Sequence, residues 1–341
     1  MYSDDDLNFA IRQGIFTQDS VNQFRTAIAS QRNTQSVDEE NFKLIGGFND
    51  IFVVIASILL LSSTYWAFSV FGLIAAAISL PTLAWVLAEF FILKRKMALP
   101  AIILMLAFVG GIFSLCLQLF AAMEESAFLV ASLGAMAAAY IHWKRFSVPI
   151  TIAALTAACA GVIASTVATI IPESKLWLML IIFLCGIGCF LFAMYWDASD
   201  TQRISYRSDV AFWLHLLAAP LIIHPVFFNL GVFEGSESAT NMSIILALYV
   251  VMTLLSIIID RRALMVSSLI YVLYATANIL ESYGFVDYSF ATTGIFIGSA
   301  LLLLSAFWHA ARVKLVNKLP QSVKHYIPAV AQDEQTITHM R

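Results

Sequence analysis

Residues 205–229 read SYRSDVAFWLHLLAAPLIIHPVFFN. From Val210 onward the segment is apolar enough to enter the hydrocarbon of a bilayer, which a helix of about 20 residues can cross. Yet it opens with Arg207 and Asp209, carries His215 and His224, and contains Pro220 and Pro225. Ionisable groups inside a span are costly and face protein or water rather than lipid. Each proline removes a backbone donor, so carbonyls near residues 216 and 221 lose their usual partners. The segment therefore reads as a broken membrane helix lining a polar pathway, with the histidines as proton or ligand groups. Packing alone gives the plainer alternative, a kinked helix whose histidines bond to neighbouring carbonyls. The histidines lie nine residues apart, on opposite sides of an ideal helix, and share no metal unless the prolines unwind it. Asp209 sits in the first turn, where the helix dipole favours a carboxylate.

The rest of the chain agrees with a membrane setting. Of 341 residues, 60% are hydrophobic and 12% charged, against about 25% charged in soluble domains. The net charge of −3 gives no footprint for nucleic acid. Ten apolar spans are expected, at about 48–66, 68–93, 98–121, 127–143, 148–171, 176–196, 210–233, 242–259, 263–281 and 290–309. With the N-terminus in the cytoplasm, 18 of the 19 basic residues fall on the inner side and only Lys175 falls outside. That asymmetry is the positive-inside bias, and it places both termini in the cytoplasm. Six of the seven tryptophans lie near span ends, as interfacial anchors do. The acidic start MYSDDDLNFA has no basic region before an apolar core, so the first span is expected to serve as the insertion signal.

The expected fold is thus all-α and polytopic, in three parts: a cytoplasmic helical hairpin and linker (1–43), a ten-helix bundle (44–309), and a basic juxtamembrane helix with a disordered tail (310–341). In the hairpin, Gly14 is a stop and Thr17 a cap for a second helix. Two such short helices hold little core, so they dock on the bundle, a second copy or a protein partner. The helix after the last span, with Arg312, Lys314 and Lys318, is expected to lie on anionic lipid.

The ninth span adds Ser267, Tyr271, Tyr274, Asn278 and Glu281 at helical spacing. This polar stripe lines a cavity, with Glu281 at the outer mouth, or serves as hydrogen-bond glue between helices. Gln118 and Glu89 are weaker polar candidates, and Glu89 reads as an interfacial ion-pairing residue beside Lys94, Arg95 and Lys96. Small residues at Ala157, Gly161, Ala164 and Ala168, and the Gly294/Gly298 pair, allow close helix approach. Cys116, Cys159, Cys185 and Cys189 read as buried thiols without metal-site spacing. No phosphate loop, HExxH, GxSxG or dinucleotide fingerprint occurs, so no metal or cofactor is expected.

Four stretches, FAIRQGIFTQDSVNQF (9–24), STYW (63–66), LKRKMALP (93–100) and RSDVAFWLHLLAAPLIIHP (207–225), together resemble a family of bacterial multi-pass membrane proteins that share a domain of unknown function. The resemblance implies a bacterial inner-membrane protein with a hairpin before a multi-span bundle. It implies no substrate and no functional residues.

Three functions follow as expectations. The first is a carrier or permease for a small solute or lipid-like molecule, with a pathway at Asp209, His215, Pro220, His224, Tyr271, Tyr274, Asn278 and Glu281. The second is a non-catalytic scaffold or sensor that binds a partner through residues 1–43. The third is an intramembrane enzyme, which needs at least two of Asp209, His215 and His224 within hydrogen-bond reach, directly or through one metal or water.

Overall fold

The structure, a computed structural model, describes residues 4–31, 48–123, 125–171, 177–201, 203, 205–230, 239–262, 265, 269, 272–273, 289–324 and 327. The described residues form helices and no strand. Two short helices come first, α1 (Asp4–Arg12) and α2 (Gln18–Gln31). Between them Gly14 takes φ 71°, and the Thr17 hydroxyl accepts from Ser20 N at 3.2 Å, closing the first turn of α2.

The bundle follows: α3 (Phe48–Ser69), α4 (Leu73–Ala88, prolonged by a π turn over Glu89–Lys94), α5 (Ala98–Leu119), α6 (Glu125–Phe146), α7 (Ile150–Ile170), α8 (Leu178–Ala198), α9 (Tyr206–Asn229), α10 (Ala239–Ile259) and α11 (Ser289–Asn317). A last short turn, α12, covers Gln321–Lys324. Seven of these, α3 to α9, are long and apolar enough to cross a membrane. A helix of 22 residues rises about 33 Å, matching a hydrocarbon layer of about 30 Å. Their bounds fall within a few residues of the apolar runs in the sequence.

Two departures stand out. The helix α9 does not break at its prolines; it is continuous from Tyr206 to Asn229. Prolines are tolerated in membrane helices because neighbouring groups and small backbone adjustments take up the freed carbonyls. The basic segment expected to start its own helix after residue 309 is instead the final turns of the 29-residue α11.

From α3 to α9 each helix packs against the next, and α8 against α9 is the most extensive interface. One core joins α3 to α7 around Leu104, Met105 and Ala139; a second joins α7, α8 and α9 around Ala193, Leu214 and Ala218. The pivot is α9, with 56% of its span window buried, more than any other candidate span. Close approach is made at Gly186: a Cβ there would lie 2.8 Å from the Leu221 carbonyl carbon and 2.9 Å from Ile222 N. Those are backbone atoms and cannot swing aside. Gly186→Ala is expected to cost about 1–3 kcal/mol as overpacking, seen as a lower thermal midpoint in detergent. Gly188→Ala, on the same helix but with no atom within 4 Å, is the control and should melt like the parent. Gly294 and Gly298, expected to mark a helix crossing, have no described atom within 4 Å of a Cβ.

The last helices pack through two small cores. Trp308 on α11 packs with Ile257 on α10 and with Met265, and Tyr249, Leu301, Ala311 and Leu315 surround the same cluster. Met265 packs at the end where α10 finishes, whereas Val272 packs with Ile223, Phe227 and Ile245 farther toward the other end.

A candidate functional site at the basic end of the bundle

The turns after α4, α6, α8 and α10 each hold one non-glycine residue at positive φ: Lys96 (52°), Ser147 (52°), Arg203 (54°) and Asp260 (59°). Left-handed backbone is uncommon outside glycine and lets a helix stop abruptly. After α8 and α10 these stops bring Arg203, Asp260 and Arg261 together with ionisable side chains of α8, α9 and α11.

The cluster has two lobes. In the first, Asp197 near the end of α8 accepts from His215 Nε2 at 2.8 Å and from Arg261 Nη2 at 2.6 Å and Nε at 3.3 Å. Arg261 Nη2 also donates to the carbonyl and the hydroxyl of Ser208, both at 3.1 Å. The Phe190 ring closes on His215, centroids 5.5 Å apart. Asp197 and His215 are fully buried, and Arg261 is 2% exposed. In the second lobe, Asp260 accepts from Arg203 Nη1 at 2.8 Å and from Trp308 Nε1 at 2.8 Å, with Arg312 Nη1 at 3.7 Å. Arg203 Nη2 also reaches the Asp260 carbonyl at 3.0 Å. Arg262 lies over the Trp308 ring at 5.1 Å. Desolvation first, and the Arg261 charge second, lower the Arg203 pKa, while Asp260 and Asp197 oppose the shift. The lobes are joined through Arg261, which follows Asp260 and whose carbonyl accepts from Ser256 Oγ.

The approach to α9 shows how the chain builds this. Asp200 holds Ser205 by its backbone N at 2.8 Å and its hydroxyl at 2.7 Å. Ser205 then caps α9, accepting from Arg207 N at 3.3 Å. This sets Ser208 one turn into the helix, under Arg261, and His215 two turns deeper, opposite Asp197.

Of the expected pathway residues, His215 alone enters the cluster. Asp209 is half-buried beside Ser208, Pro220 is exposed, and His224 is half-buried with its ring 6.1 Å from Phe228. His215 donates to Asp197 rather than to Asp209 or His224. Tyr271, Tyr274, Asn278 and Glu281 lie outside the described residues. No group of three His, Cys, Asp or Glu among the described residues is placed to hold a metal ion. Glu89 pairs with Arg145 through two 2.8 Å hydrogen bonds rather than with Lys94, Arg95 or Lys96.

The cluster escapes a reading of the sequence because its members look like loop charges. One signal is present all the same. Asp197 sits at the C-terminal end of an apolar helix and Asp260 just past another, where the helix dipole disfavours a carboxylate. Such a residue needs a cation, and Arg203, Arg261 and Arg312 supply it.

A groove of about 730 Å³ forms a separate feature, bounded by α5, α6, α7 and the start of α8. None of Asp209, His215, Pro220 and His224 lines it. Gly161 meets Ser132 closely, as a packing glycine should, but Ala157, Ala164 and Ala168 line the groove instead of a neighbour.

With the geometry in place, the molecule falls into the class of polytopic helical membrane proteins, by length and apolarity of its helices. No family model, no curated protein and no solved structure matches the chain.

Proposed function

We propose that the protein is a ten-span carrier for a small solute or lipid-like molecule, and that the charge cluster is its closed gate. Support for ten spans comes from the sequence, where ten spans place 18 of the 19 basic residues on one side. The positive-inside bias makes the cluster end cytoplasmic. A bacterial inner membrane rests on the sequence resemblance.

The observation that carries the reading is the cluster itself. Five ionisable side chains from α8, α9, α10 and α11 and their turns are buried where those elements end, along with Arg203 at 6% exposure. Buried ion pairs are poor sources of net stability and suit roles in which a contact must break and re-form. Two of the partners, Arg203 and Asp260, also hold left-handed backbone, a conformation kept by its surroundings. Within the reading, the stripe Tyr271, Tyr274, Asn278 and Glu281 is assigned to the path beyond the gate.

The test uses a variant without native cysteines and with Ala219→Cys, a buried position on α9 deeper than the cluster. A membrane-impermeant maleimide added from the basic side should react slowly with the parent. With Asp197→Asn or Asp260→Asn the rate should rise at least tenfold. An unchanged rate in variants that still melt cooperatively makes the cluster a static staple, and the carrier reading fails.

A second reading, a scaffold that binds through the hairpin, is favoured by Phe9, Ile15, Phe16 and Phe24, large apolar side chains left exposed on or beside α1 and α2. Deleting residues 1–43 should then leave the bundle's melting unchanged and abolish co-purification or self-association. An unchanged set of partners counts against it.

A further inference from the structure

We infer that the turn between α4 and α5, with the end of α6 beside it, is a binding site for the phosphate of an anionic phospholipid. Residues 94–96 read KRK, and α6 carries Lys144 and Arg145 in its last turn. One fork ties the two places together, since Arg145 Nε and Nη2 each donate to Glu89 at 2.8 Å. That pair is neutral as a unit. Lys94, Arg95, Lys96 and Lys144 are all exposed, and none of them meets a carboxylate among the described residues. In the charge cluster, by contrast, Arg203, Arg261 and Arg312 each have an acidic partner. Four cations thus flank the fork with no protein anion to answer them.

The backbone aims these cations at the lipid side. Glu89–Lys94 is a π turn, and Arg95 N bonds to the Phe90 carbonyl at 3.1 Å, five residues back. A turn of that width stacks residue 95 over residue 90 and keeps residue 94 beside it. The Arg95 guanidinium lies 5.6 Å from the Phe90 ring centre and the Lys94 ammonium 5.9 Å. Lys144 lies over the Tyr140 ring at 5.6 Å in the same way. Phe90, Leu93, Tyr140 and Ile141 are exposed apolar side chains on two helices long enough to cross a membrane, so acyl chains lie against them. The cations therefore sit just above the hydrocarbon edge, at the depth of headgroup phosphates. That position decides the source. A soluble phosphate leaves the apolar floor under the cations bare, whereas a phospholipid covers it with its own tails. The charge decides the class. A phosphatidylcholine or phosphatidylethanolamine head would carry an ammonium onto this cationic surface, where like charges repel. Phosphatidylglycerol brings the phosphate without it.

The site is separate from the charge cluster and stands whether or not the cluster opens. For the test, the full chain is reconstituted in vesicles of equimolar phosphatidylglycerol and phosphatidylcholine and extracted in mild detergent. The lipid retained after gel filtration is then counted by mass spectrometry. Phosphatidylglycerol should be enriched at least about fivefold over phosphatidylcholine, the worth of one basic residue beside anionic lipid. Lys94→Gln with Arg95→Gln should bring the two lipids close to parity. Arg207→Gln with Lys318→Gln removes the same charge from exposed positions elsewhere at the basic end and should keep the enrichment. Equal retention of the two lipids by the parent overturns the assignment, as does enrichment that survives Lys94→Gln with Arg95→Gln. So does an equal loss with Arg207→Gln and Lys318→Gln, because charge anywhere at this end would then suffice. Glycerol 3-phosphate in excess should leave the retained lipid unchanged. Displacement would give the cations to a soluble phosphate and overturn the lipid assignment. All the substituted side chains are exposed, so each variant should melt like the parent. If Lys94→Gln with Arg95→Gln melts early, Lys144→Gln decides in its place: undiminished enrichment overturns the site.

Discussion

Asp197→Ala is expected to lower stability by about 3–5 kcal/mol, the usual penalty for removing one partner of a buried ion pair. The loss comes less from the missing attraction than from what remains. Arg261 would keep its charge in a dry interior, still bonded to the Ser208 oxygens but stripped of this carboxylate, and His215 would lose the acceptor for Nε2. Unfolding in detergent followed by circular dichroism measures this directly. The physical cause predicts a second result. Asp197→Leu combined with Arg261→Met removes both charges and refills the volume, so it should recover at least half of the loss, since well-packed apolar replacements of buried pairs are often neutral. A double variant as unstable as the two single losses added together would contradict desolvation as the cause.

Asp260→Ala should be of similar size, about 3–5 kcal/mol, by the same desolvation argument. One carboxylate here serves Arg203, Arg312 and Trp308 Nε1. Without it two guanidiniums lose the anion between them, and the buried indole N–H loses its acceptor. The backbone adds to the effect, because residue 260 sits at φ 59°, where alanine is less at ease than Asp or Asn. Asp260→Asn keeps the shape and the tolerance for that backbone, and removes only the charge. It should therefore be milder than alanine by the same melting measurement. Equal losses in the two variants would place the whole effect in the charge and none in the backbone.

The parts of the fold that depend on neighbouring residues are legible in the sequence. Gly14 and Thr17 signal a stop and a cap within a few positions, and both do that in the structure. The helices α3 to α9 follow from apolar runs, since only solvent and length decide them. What needs distant partners is not legible. Pro220 and Pro225 look like breaks when the neighbours that accommodate them are unseen. Arg312 has the sequence marks of a lipid-facing anchor, yet it is fully buried, because Asp260, 52 positions earlier, comes to meet it. Gly294 and Gly298 fit a packing motif with no described helix against them, whereas Gly186 carries no motif and makes the tightest crossing onto α9. The groove leaves no mark either, because alanines that pack and alanines that leave space are spelled alike.

The left-handed residues at the basic-end turns limit how the bundle can rearrange. Residues 95–97 and 147–149 are the whole connection between α4 and α5 and between α6 and α7, and the seven residues between α8 and α9 are cross-tied through Asp200 and Arg203. Links this short and this fixed leave no slack for one helix to slide past its sequence neighbour. Any rearrangement of the bundle then has to carry each of these helix pairs as a unit.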